Sequence, residues 1–308
     1  MILPDFDILE FRNLQLEYSG MDHPDFCADP AHFKKYTKKI HYQYNSRGFR
    51  DREWPANPQL RDCVWCFGDS FTAGVGSPGT DTWVRQVEQA LGRPCVNISL
   101  DGANNQWIAE KIQRVQREIN PRYIIVQWSY LHRVPASADD FADRVNDAWQ
   151  RFYENIRDPG WPDCADHKNF VNLPEEIKQE IVKDFGIPGY FEYQNSELIV
   201  NDFKLDNLKL RHHAPWIPST HEEDLARTLD GVKRVQRWGE TKILHSCVPL
   251  FAPKNIRKLF YQHLSDQQYH YIPEFTPLDL ARDGWHYDIK TSEKFAELAK
   301  AHWHQQNW

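Results

Sequence analysis

Ser70 is the residue of this 308-residue chain whose position best suits nucleophilic chemistry. It ends the stretch "CFGDS", which continues the apolar run that begins at Cys63. A serine just past a parallel strand and before a helix lies at the sheet edge where α/β proteins bind ligands. Serine becomes reactive when a base removes its proton, and a third group must orient that base. Nucleophilic chemistry at Ser70 therefore requires a base and an acid elsewhere in the chain.

The stretch "LARDGWHYD", residues 280–288, supplies both groups. Asp283 and His286 are three residues apart, and in a turn before a helix that spacing lets the carboxylate reach Nδ1 of the imidazole. Nε2 then remains for Ser70. An Asp-x-x-His pair alone is a weak signal in a chain with 14 histidines, but its combination with the serine predicts a Ser-His-Asp triad. Gly68 is expected to let the backbone bend and Asp69 to fix the turn by accepting backbone N–H bonds.

These two segments resemble the first and last motif blocks of the SGNH (GDSL-type) hydrolase superfamily. The resemblance spans about residues 61–305 apart from an insertion, and Phe71 stands where the namesake motif has leucine. It implies a flavodoxin-like three-layer α/β/α fold with a parallel sheet. It also implies ester hydrolysis through an acyl-serine intermediate, with no metal or organic cofactor. Substrates in that superfamily range from lipids to acetylated carbohydrates, so a small-molecule or carbohydrate ester is expected.

The two middle blocks of the superfamily supply oxyanion donors, a backbone glycine and an asparagine side chain. Gly102, in "SLDGANNQ", matches the glycine by position. Where the superfamily has Gly-x-Asn-Asp after the third strand, this chain has "QWSYLHRV" and no asparagine. Asn105 is the preferred replacement, because Asn104 fits equally well as a cap for the following helix. The expected oxyanion hole consists of the amides of Ser70 and Gly102 with the side chain of Asn105.

Other residues offer alternatives for binding the substrate. Ser129, His132 and Arg133 follow the third predicted strand and are further candidate donors to the oxyanion. His132 together with Arg133 would suit an anionic group on the substrate. Trp285 lies between the predicted acid and base, so we expect it close to the pocket. The chain has 12 tryptophans, and for the others packing between core and insertion is favoured over a sugar-binding platform.

A rival interpretation concerns the segment "GVGSPG", residues 74–79. It fits the G-x-G-x-x-G pattern of dinucleotide-binding proteins, and Asp101 follows as a candidate ribose-binding acid. That mechanism needs its first glycine at the strand end, so that the pyrophosphate meets a helix N-terminus. Gly74 instead comes seven residues after Phe67, and Pro78 stands where the helix should already run. The sequence therefore favours serine chemistry over a cofactor.

The elements that must position these residues alternate along the chain. Strand-like runs at 62–67, 94–99, 122–128 and 242–250 are separated by helix-like segments, which predicts a parallel sheet covered on both faces. The final helix is expected from about Thr291. Residues 134–220 are predicted to form an inserted helical cap within a hydrolase domain at 61–308. Residues 1–60 are predicted to be an N-terminal extension that packs on the core.

Composition restricts the classes of partner. A net charge of −7 and a pI near 6.1 argue against a nucleic-acid binder with a basic surface. The first residues lack the features of a signal peptide, and no apolar run approaches a membrane span, so a cytoplasmic or virion-associated location is expected. The six cysteines are expected to be free thiols. Cys63 and Cys66 should point to opposite faces of a strand, which predicts core packing rather than a redox pair or zinc site.

The predicted function is that of a serine esterase. Two other classes stay open at this stage. One is an acyltransferase that uses the same triad with an alcohol as acceptor. The other is a catalytically inactive module that keeps the fold for binding or for a structural role.

Overall fold

A computed structural model describes residues 6–8, 11–24, 27, 29–131, 133, 221–249, 251–252, 254–306 and 308. Its centre is a five-stranded sheet formed by β3 (Val64–Gly68), β4 (Cys95–Ser99), β5 (Tyr123–Trp128), β6 (Lys242–Cys247) and β7 (His270–Tyr271). Every pairing in this sheet is parallel, and the strand order is β4-β3-β5-β6-β7. Counted within the sheet, this is the 2-1-3-4-5 order of flavodoxin-like folds.

The three neighbouring strands β3, β4 and β5 are buried along their whole length. Their sequences are rich in β-branched and aromatic residues, as expected for strands that are covered on both faces. The carboxyl ends of these strands lie together, with Gly68 opposite Ser99 in the register of β3 and β4. Loops that leave these ends are therefore neighbours at one edge of the sheet.

Helices cover both faces of the sheet. The longer ones are α4 (Trp83–Leu91), α5 (Asn105–Ile119), α6 (His221–Gln236), α7 (Lys254–Asp266) and α8 (Ile289–Gln305). Helices α4 and α8 pack on each other, and α6 packs on both α5 and α7. Because crossovers between parallel strands are almost always right-handed, the strand order puts the first pair on one face of the sheet and the other three on the opposite face. The predicted three-layer α/β/α fold with a parallel sheet is thus confirmed.

Element boundaries differ from the expectations by a few residues. The first strand of the large sheet begins at Val64 rather than residue 62, and the last helix begins at Ile289 rather than Thr291. A four-residue helix, α3 (Ser70–Ala73), was not expected, and neither were α7 and the two-residue β7. Helix α4 is preceded by a 3₁₀ turn at Gly79–Asp81. The short α3 and β7 leave little periodic signal in a sequence, whereas α7 has 13 residues and buries Ile256, Phe260 and Leu264 at helical spacing, a signal that was overlooked.

The N-terminal residues contain four short elements and contact the core. These are the antiparallel pair β1 (Gln15–Leu16) and β2 (Tyr42–Gln43), with α1 (Pro30–Lys35) and α2 (Asn57–Leu60). Phe49 is fully buried, and Trp54 stacks on it while meeting Trp65 of β3 edge to face. The domain boundary near residue 61 stays a prediction. The predicted cap at 134–220 lies outside the described residues.

Cys63 and Cys66 are buried free thiols in the core cluster. Cys66 lies within β3, whereas Cys63 directly precedes it. Burial raises the pKa of Cys63 to about 11, so this thiol stays protonated near neutral pH. Among the described residues, no helix combines the length and apolar character that crossing a membrane requires.

Candidate active site

Ser70 opens α3 two positions after the end of β3, and 3% of it is exposed. Asp69 caps this short helix, because its Oδ1 accepts a hydrogen bond of 3.0 Å from the amide of Phe71. Gly68 has no room for a side chain: a Cβ there would lie 2.0 Å from Oγ1 of Thr72. The strand end, the glycine and the cap together hold Ser70 at the carboxyl edge of the sheet.

Asp283 and His286 lie in the segment 281–286, which we call the acid loop. Oδ2 of Asp283 makes a short hydrogen bond with Nδ1 of His286. Oδ1 accepts hydrogen bonds of 2.9 Å and 3.1 Å from the amides of Trp285 and His286. Nε2 of His286 lies 2.8 Å from Oγ of Ser70. The fold therefore brings the predicted acid, base and nucleophile into one buried chain of contacts.

The surroundings of His286 favour its protonated form. Burial on its own lowers the pKa of the imidazole, but the charge and hydrogen bond of Asp283 outweigh it, with further contributions from Asp101 and Asp69. The net effect raises the pKa of His286 above its ordinary value of 6.5. The ring of Phe71 lies 4.5 Å from the imidazole centroid and covers one side of it. These contacts make His286 a stronger base towards the hydroxyl of Ser70.

Gly102 lies three residues beyond the end of β4, with a φ of 74°. The amide of Leu100 donates to the carbonyl oxygen of Gly68 at 3.4 Å, which holds this loop against the end of β3. Within the described part of the chain, the amides of Ser70 and Gly102 donate no hydrogen bond to another residue. Both are thus candidate donors to a ligand at this edge.

The side-chain amide of Asn105 is committed to other partners. Its Nδ2 donates to the carbonyl oxygen of Ser129 at 3.1 Å and to Oγ1 of Thr228 at 3.0 Å. An amide nitrogen carries two hydrogens, so none remains for an oxyanion. The role expected for Asn105 is corrected accordingly: its side chain ties α5 to α6 and to the residue after β5. Asn104 caps α5 by accepting from the amide of Trp107 at 2.8 Å.

A buried ion pair lies beside Ser70. Oδ2 of Asp69 accepts a hydrogen bond of 2.6 Å from Oγ of Ser129 and lies 3.2 Å from Nη1 of Arg133. Asp69 is fully buried and the side chain of Arg133 is 9% exposed. The guanidinium also lies 5.0 Å from the ring centre of Tyr130. The loop after β5 therefore brings a guanidinium, and no asparagine, next to the residue that precedes Ser70.

The remaining predicted substrate contacts are only partly described. Trp285 is half-buried beside His286 and packs against the core cluster. His132 lies outside the described residues. Among the residues that the structure covers, no group of three or more His, Cys, Asp or Glu side chains could hold a metal ion.

The glycine-rich segment 74–79 packs against the acid loop. Gly74 ends α3 in the left-handed conformation, and its amide donates to the carbonyl of Ser70 at 2.9 Å. Gly76 has a φ of 78°, and a Cβ there would lie 3.0 Å from Oδ1 of Asp283. The next helix of more than one turn, α4, begins only at Trp83. The glycines thus permit close packing near the acid and do not form the strand-to-helix turn that a dinucleotide needs.

Arg50 is a contact of this segment that sequence reasoning missed. Its Nη1 donates to the carbonyl of Ala73 at 2.9 Å and its Nη2 to that of Ser77 at 2.6 Å. The guanidinium lies 4.1 Å from the ring centre of Tyr42. Nothing in the local pattern "YNSRGFRD" distinguishes this arginine from a surface residue, because its partners are more than 20 positions away.

Comparison with models of known families and with curated proteins gave no match. Solved structures gave distant similarities. A putative lipolytic protein of the G-D-S-L family from Desulfitobacterium hafniense is 11% identical, over 78% of this chain and 98% of that one, with a TM-score of 0.38. A carbohydrate esterase family 2 enzyme plus carbohydrate binding domain from Corynascus thermopiles is 10% identical, over 87% and 71%, with a TM-score of 0.42.

A carbohydrate acetylesterase family member from Sinorhizobium meliloti is likewise 11% identical, over 78% of this chain and 96% of that one, with a TM-score of 0.38. At TM-scores this low, the similarities carry no conclusion about what this chain does.

Proposed function

We propose that this protein is a serine esterase with Ser70, His286 and Asp283 as its catalytic triad. The observation that carries the proposal is the continuous contact from Asp283 through both ring nitrogens of His286 to Ser70, with 2.8 Å between Nε2 and Oγ. A serine hydroxyl aligned with a buried imidazole, whose other nitrogen meets a carboxylate, is the arrangement that serine hydrolases use for acyl transfer.

In the first half-reaction, Oγ of Ser70 attacks the carbonyl carbon of the ester while its proton passes to Nε2 of His286. Negative charge develops on the carbonyl oxygen. The bond between that carbon and the alcohol oxygen then breaks, and His286 gives its proton to the departing alcohol. Asp283 stabilises the imidazolium and keeps Nδ1–H directed towards itself, so that Nε2 faces the serine.

In the second half-reaction, water attacks the acyl-serine and its proton passes to His286. The carboxylic acid leaves as the bond to Oγ breaks, and the proton returns to Ser70. The amides of Ser70 and Gly102 are the proposed oxyanion donors. Arg133, whose Nη1 lies 3.2 Å from Asp69, follows β5 in the chain, where the superfamily has its asparagine. Loss of one such group typically costs about 10²–10³ in rate.

A small ester is the proposed substrate class, with O-acetylated carbohydrates first among those to be tested. Trp285, half-buried and adjacent in sequence to His286, offers an aromatic surface of the kind that sugars pack on. The proposed mechanism needs no metal or organic cofactor, because the proton transfers and charge stabilisation all use side chains and amides of the chain.

Hydrolysis of p-nitrophenyl acetate and butyrate tests the proposal. The comparison is between the unmodified protein, Ser70→Ala and the control Ser99→Ala, which removes a buried hydroxyl bonded to Asn97. Ser70→Ala should lose at least about 10³-fold in kcat and all labelling by a fluorophosphonate, because the nucleophile is gone. Ser99→Ala should stay within a few-fold of the unmodified protein.

The products distinguish the two other classes. Free acid released without an added alcohol supports a hydrolase, whereas turnover only in the presence of an acceptor alcohol means an acyltransferase. Equal background rates in all three proteins, without fluorophosphonate labelling, would reject serine catalysis and leave a binding module.

A further inference from the structure

The N-terminal residues bind the acid loop through Arg282, the neighbour of Asp283. The guanidinium of Arg282 makes two hydrogen bonds of 2.7 Å to the two carboxylate oxygens of Asp22. It also lies 5.1 Å and 4.9 Å from the ring centres of Tyr18 and Phe33. Asp22 is fully buried, so this bidentate pair is shielded from solvent on the carboxylate side. The side chain next to the proposed acid is thus held by Asp22, Tyr18 and Phe33 of the N-terminal residues.

Tyr42 closes this contact into a ring. Its hydroxyl donates to Oδ2 of Asp22 at 2.5 Å and accepts from the amide of Gly76 at 2.8 Å. The amide of Arg282 donates in turn to the carbonyl oxygen of Gly76 at 2.8 Å. The four residues therefore bind one another in sequence, and both Gly76 and Arg282 adjoin Asp283. We call Asp22, Tyr42, Gly76 and Arg282 the clamp ring.

Two further N-terminal contacts act on the acid loop. His32 donates from Nε2 to the carbonyl oxygen of Ala281 at 2.8 Å. Gly284, with a φ of 75°, lies so close to Asp29 that a Cβ on the glycine would be 3.0 Å from that of the aspartate. The N-terminal residues therefore contact the acid loop on both sides of Asp283, at positions 281, 282 and 284.

The energetics of the clamp ring favour one fixed arrangement. A buried carboxylate that loses one of its partners keeps its desolvation cost, so a bidentate arginine and a tyrosine hydroxyl resist displacement together. Hydrogen bonds in a closed network also couple, so movement of one member disturbs the others. Since Gly76 lies against Oδ1 of Asp283, a shift of the ring reaches the carboxylate directly.

We propose that Asp22 and Tyr42 are positioning residues of the triad, acting through Arg282 and Gly76 to keep Asp283 on Nδ1 of His286. Within the described part of the chain, neither residue makes a hydrogen bond to Ser70 or His286. The kinetic consequences rest on the proposed function, whereas the effect on the contact between Asp283 and His286 does not. Residues outside the region that resembles the hydrolase superfamily thereby become part of the catalytic apparatus.

The test compares Tyr42→Phe and Asp22→Asn with the control Tyr44→Phe. Tyr44 is a second N-terminal tyrosine, whose hydroxyl lies 3.3 Å from that of Ser19 and makes no hydrogen bond to the acid loop among the described residues. Tyr42→Phe removes one hydroxyl and no charge. Tyr42→Phe and Tyr44→Phe leave every charge unchanged, including Asp283, Asp101 and Asp69, which act on His286, whereas Asp22→Asn also removes the carboxylate that pairs with Arg282. Each protein is measured for kcat and KM with p-nitrophenyl acetate, for the His286 pKa by NMR titration, and for Tm.

Tyr42→Phe should lower kcat about 10-fold and Asp22→Asn about 100-fold with KM little changed, because misplacement of a catalytic group affects the transition state more than binding. The His286 pKa should fall towards its ordinary value, because the contact with Asp283 that raises it is loosened. Tyr44→Phe should match the unmodified protein in kcat and in the His286 pKa. The double variant should show a smaller decrease in kcat than the product of the two single decreases, since both substitutions act on one ring.

A purely structural role would give a different pattern. If both variants lower Tm but leave kcat and the His286 pKa as in the unmodified protein, the positioning role is overturned. If the unmodified protein hydrolyses no ester, the proposed function fails and the NMR titration decides: a lower His286 pKa in Tyr42→Phe supports the clamp, and an unchanged pKa overturns it. If Asp22→Asn does not fold, Tyr42→Phe decides by the same criteria.

Discussion

At the scale of single residues, the candidate site depends on one carboxylate with two separate tasks. Oδ1 of Asp283 accepts two backbone amides of its own turn, while Oδ2 meets the imidazole of His286. The turn therefore fixes the carboxylate before the carboxylate orients the base. This division explains why an acid three residues before a histidine suits the task, because the same short loop supplies the acid, its anchors and the base.

The pH dependence of activity follows from the charge around His286. A protonated His286 cannot accept the proton of Ser70, so kcat/KM should fall as pH falls through the pKa of the imidazole. Because the surrounding carboxylates raise that pKa, the midpoint should lie above 6.5. A pH-rate profile with a neutral ester substrate measures it, and a midpoint at or below the ordinary histidine value would contradict the electrostatic argument.

The same shift affects stability with the opposite sign. A histidine whose pKa is higher in the folded than in the unfolded chain stabilises the fold below the unfolded value. That contribution is lost as pH rises through the folded value. Protonated His286 therefore stabilises the fold at low pH, whereas the proposed catalysis needs the neutral imidazole at higher pH.

At the scale of elements, the loop between α3 and α4 links Ser70 to Asp283. Gly74 ends the helix that carries Ser70, and two residues later Gly76 lies against Asp283. The glycine pattern resembles a phosphate-binding loop, but its glycines allow the loop between α3 and α4 to pack against the acid loop, which comes much later in the chain. The requirement for glycine at position 76 comes both from its backbone conformation and from its neighbours.

Gly76→Ala and Gly92→Ala separate these two requirements. Both glycines have left-handed backbones, with φ of 78° and 62°, but nothing lies within 4 Å of a Cβ at position 92. Gly92→Ala should lower the free energy of unfolding by about 1–2 kcal/mol through backbone strain alone, with kcat unchanged. Gly76→Ala should lose more stability and also kcat, because its Cβ would displace Asp283. Denaturant unfolding and ester hydrolysis measure both, and equal losses in the two variants would refute the packing argument.

Residues in short motifs could be selected from the sequence alone. Residues whose roles depend on contacts with distant positions in the chain could not. Ser70, Asp283 and His286 each lie in a short local pattern, so they could be proposed as a triad from the sequence, and the fold brings them into contact. Asn105 could not be judged in the same way, because its amide is occupied by Thr228, 123 positions away. Asp22 was missed for a similar reason: its partner Arg282 is 260 positions away. The alternation of strands and helices from β3 to β6 was predictable, since buried strands and amphipathic helices carry their own periodicity, whereas α7 and β7 were missed.

At the scale of the whole molecule, side chains form hydrogen bonds with backbone groups on the free edge of the outer strand β4. Its amides at Cys95 and Asn97 donate to Glu88 at 2.8 Å and to Asp51 at 2.9 Å. Arg85 donates to the carbonyl oxygen of Cys95 at 2.8 Å and pairs with both carboxylates. Exposed edge strands invite pairing with other chains, and charged side chains on the edge prevent it. At the other end of the described sheet, β7 has only two residues.

Removal of both carboxylates tests this role of the edge. Asp51→Ala combined with Glu88→Ala should increase self-association, because two backbone amides of β4 lose their acceptors. The control Glu118→Ala removes an exposed carboxylate of α5 that pairs with Arg114 and lies outside the edge contacts. Light scattering at increasing concentration compares the proteins, and an unchanged monomer fraction in the double variant would reject the edge argument.

Burial raises the pKa of Asp51 to about 6 despite Arg85, so acidification below that value should weaken the protection of the β4 edge against self-association.

The 216 positions between Ser70 and His286 also set the order in which the site can form during synthesis. At roughly 5–20 residues per second, a ribosome needs about 10–40 s to travel from one residue to the other. During that interval the nascent chain contains Ser70 but not His286. It also contains Asp22 and Tyr42 but not Arg282, which completes the clamp ring. On the proposed mechanism, Ser70 therefore cannot act as a nucleophile until the segment that carries Asp283 and His286 has been synthesised and has packed beside it.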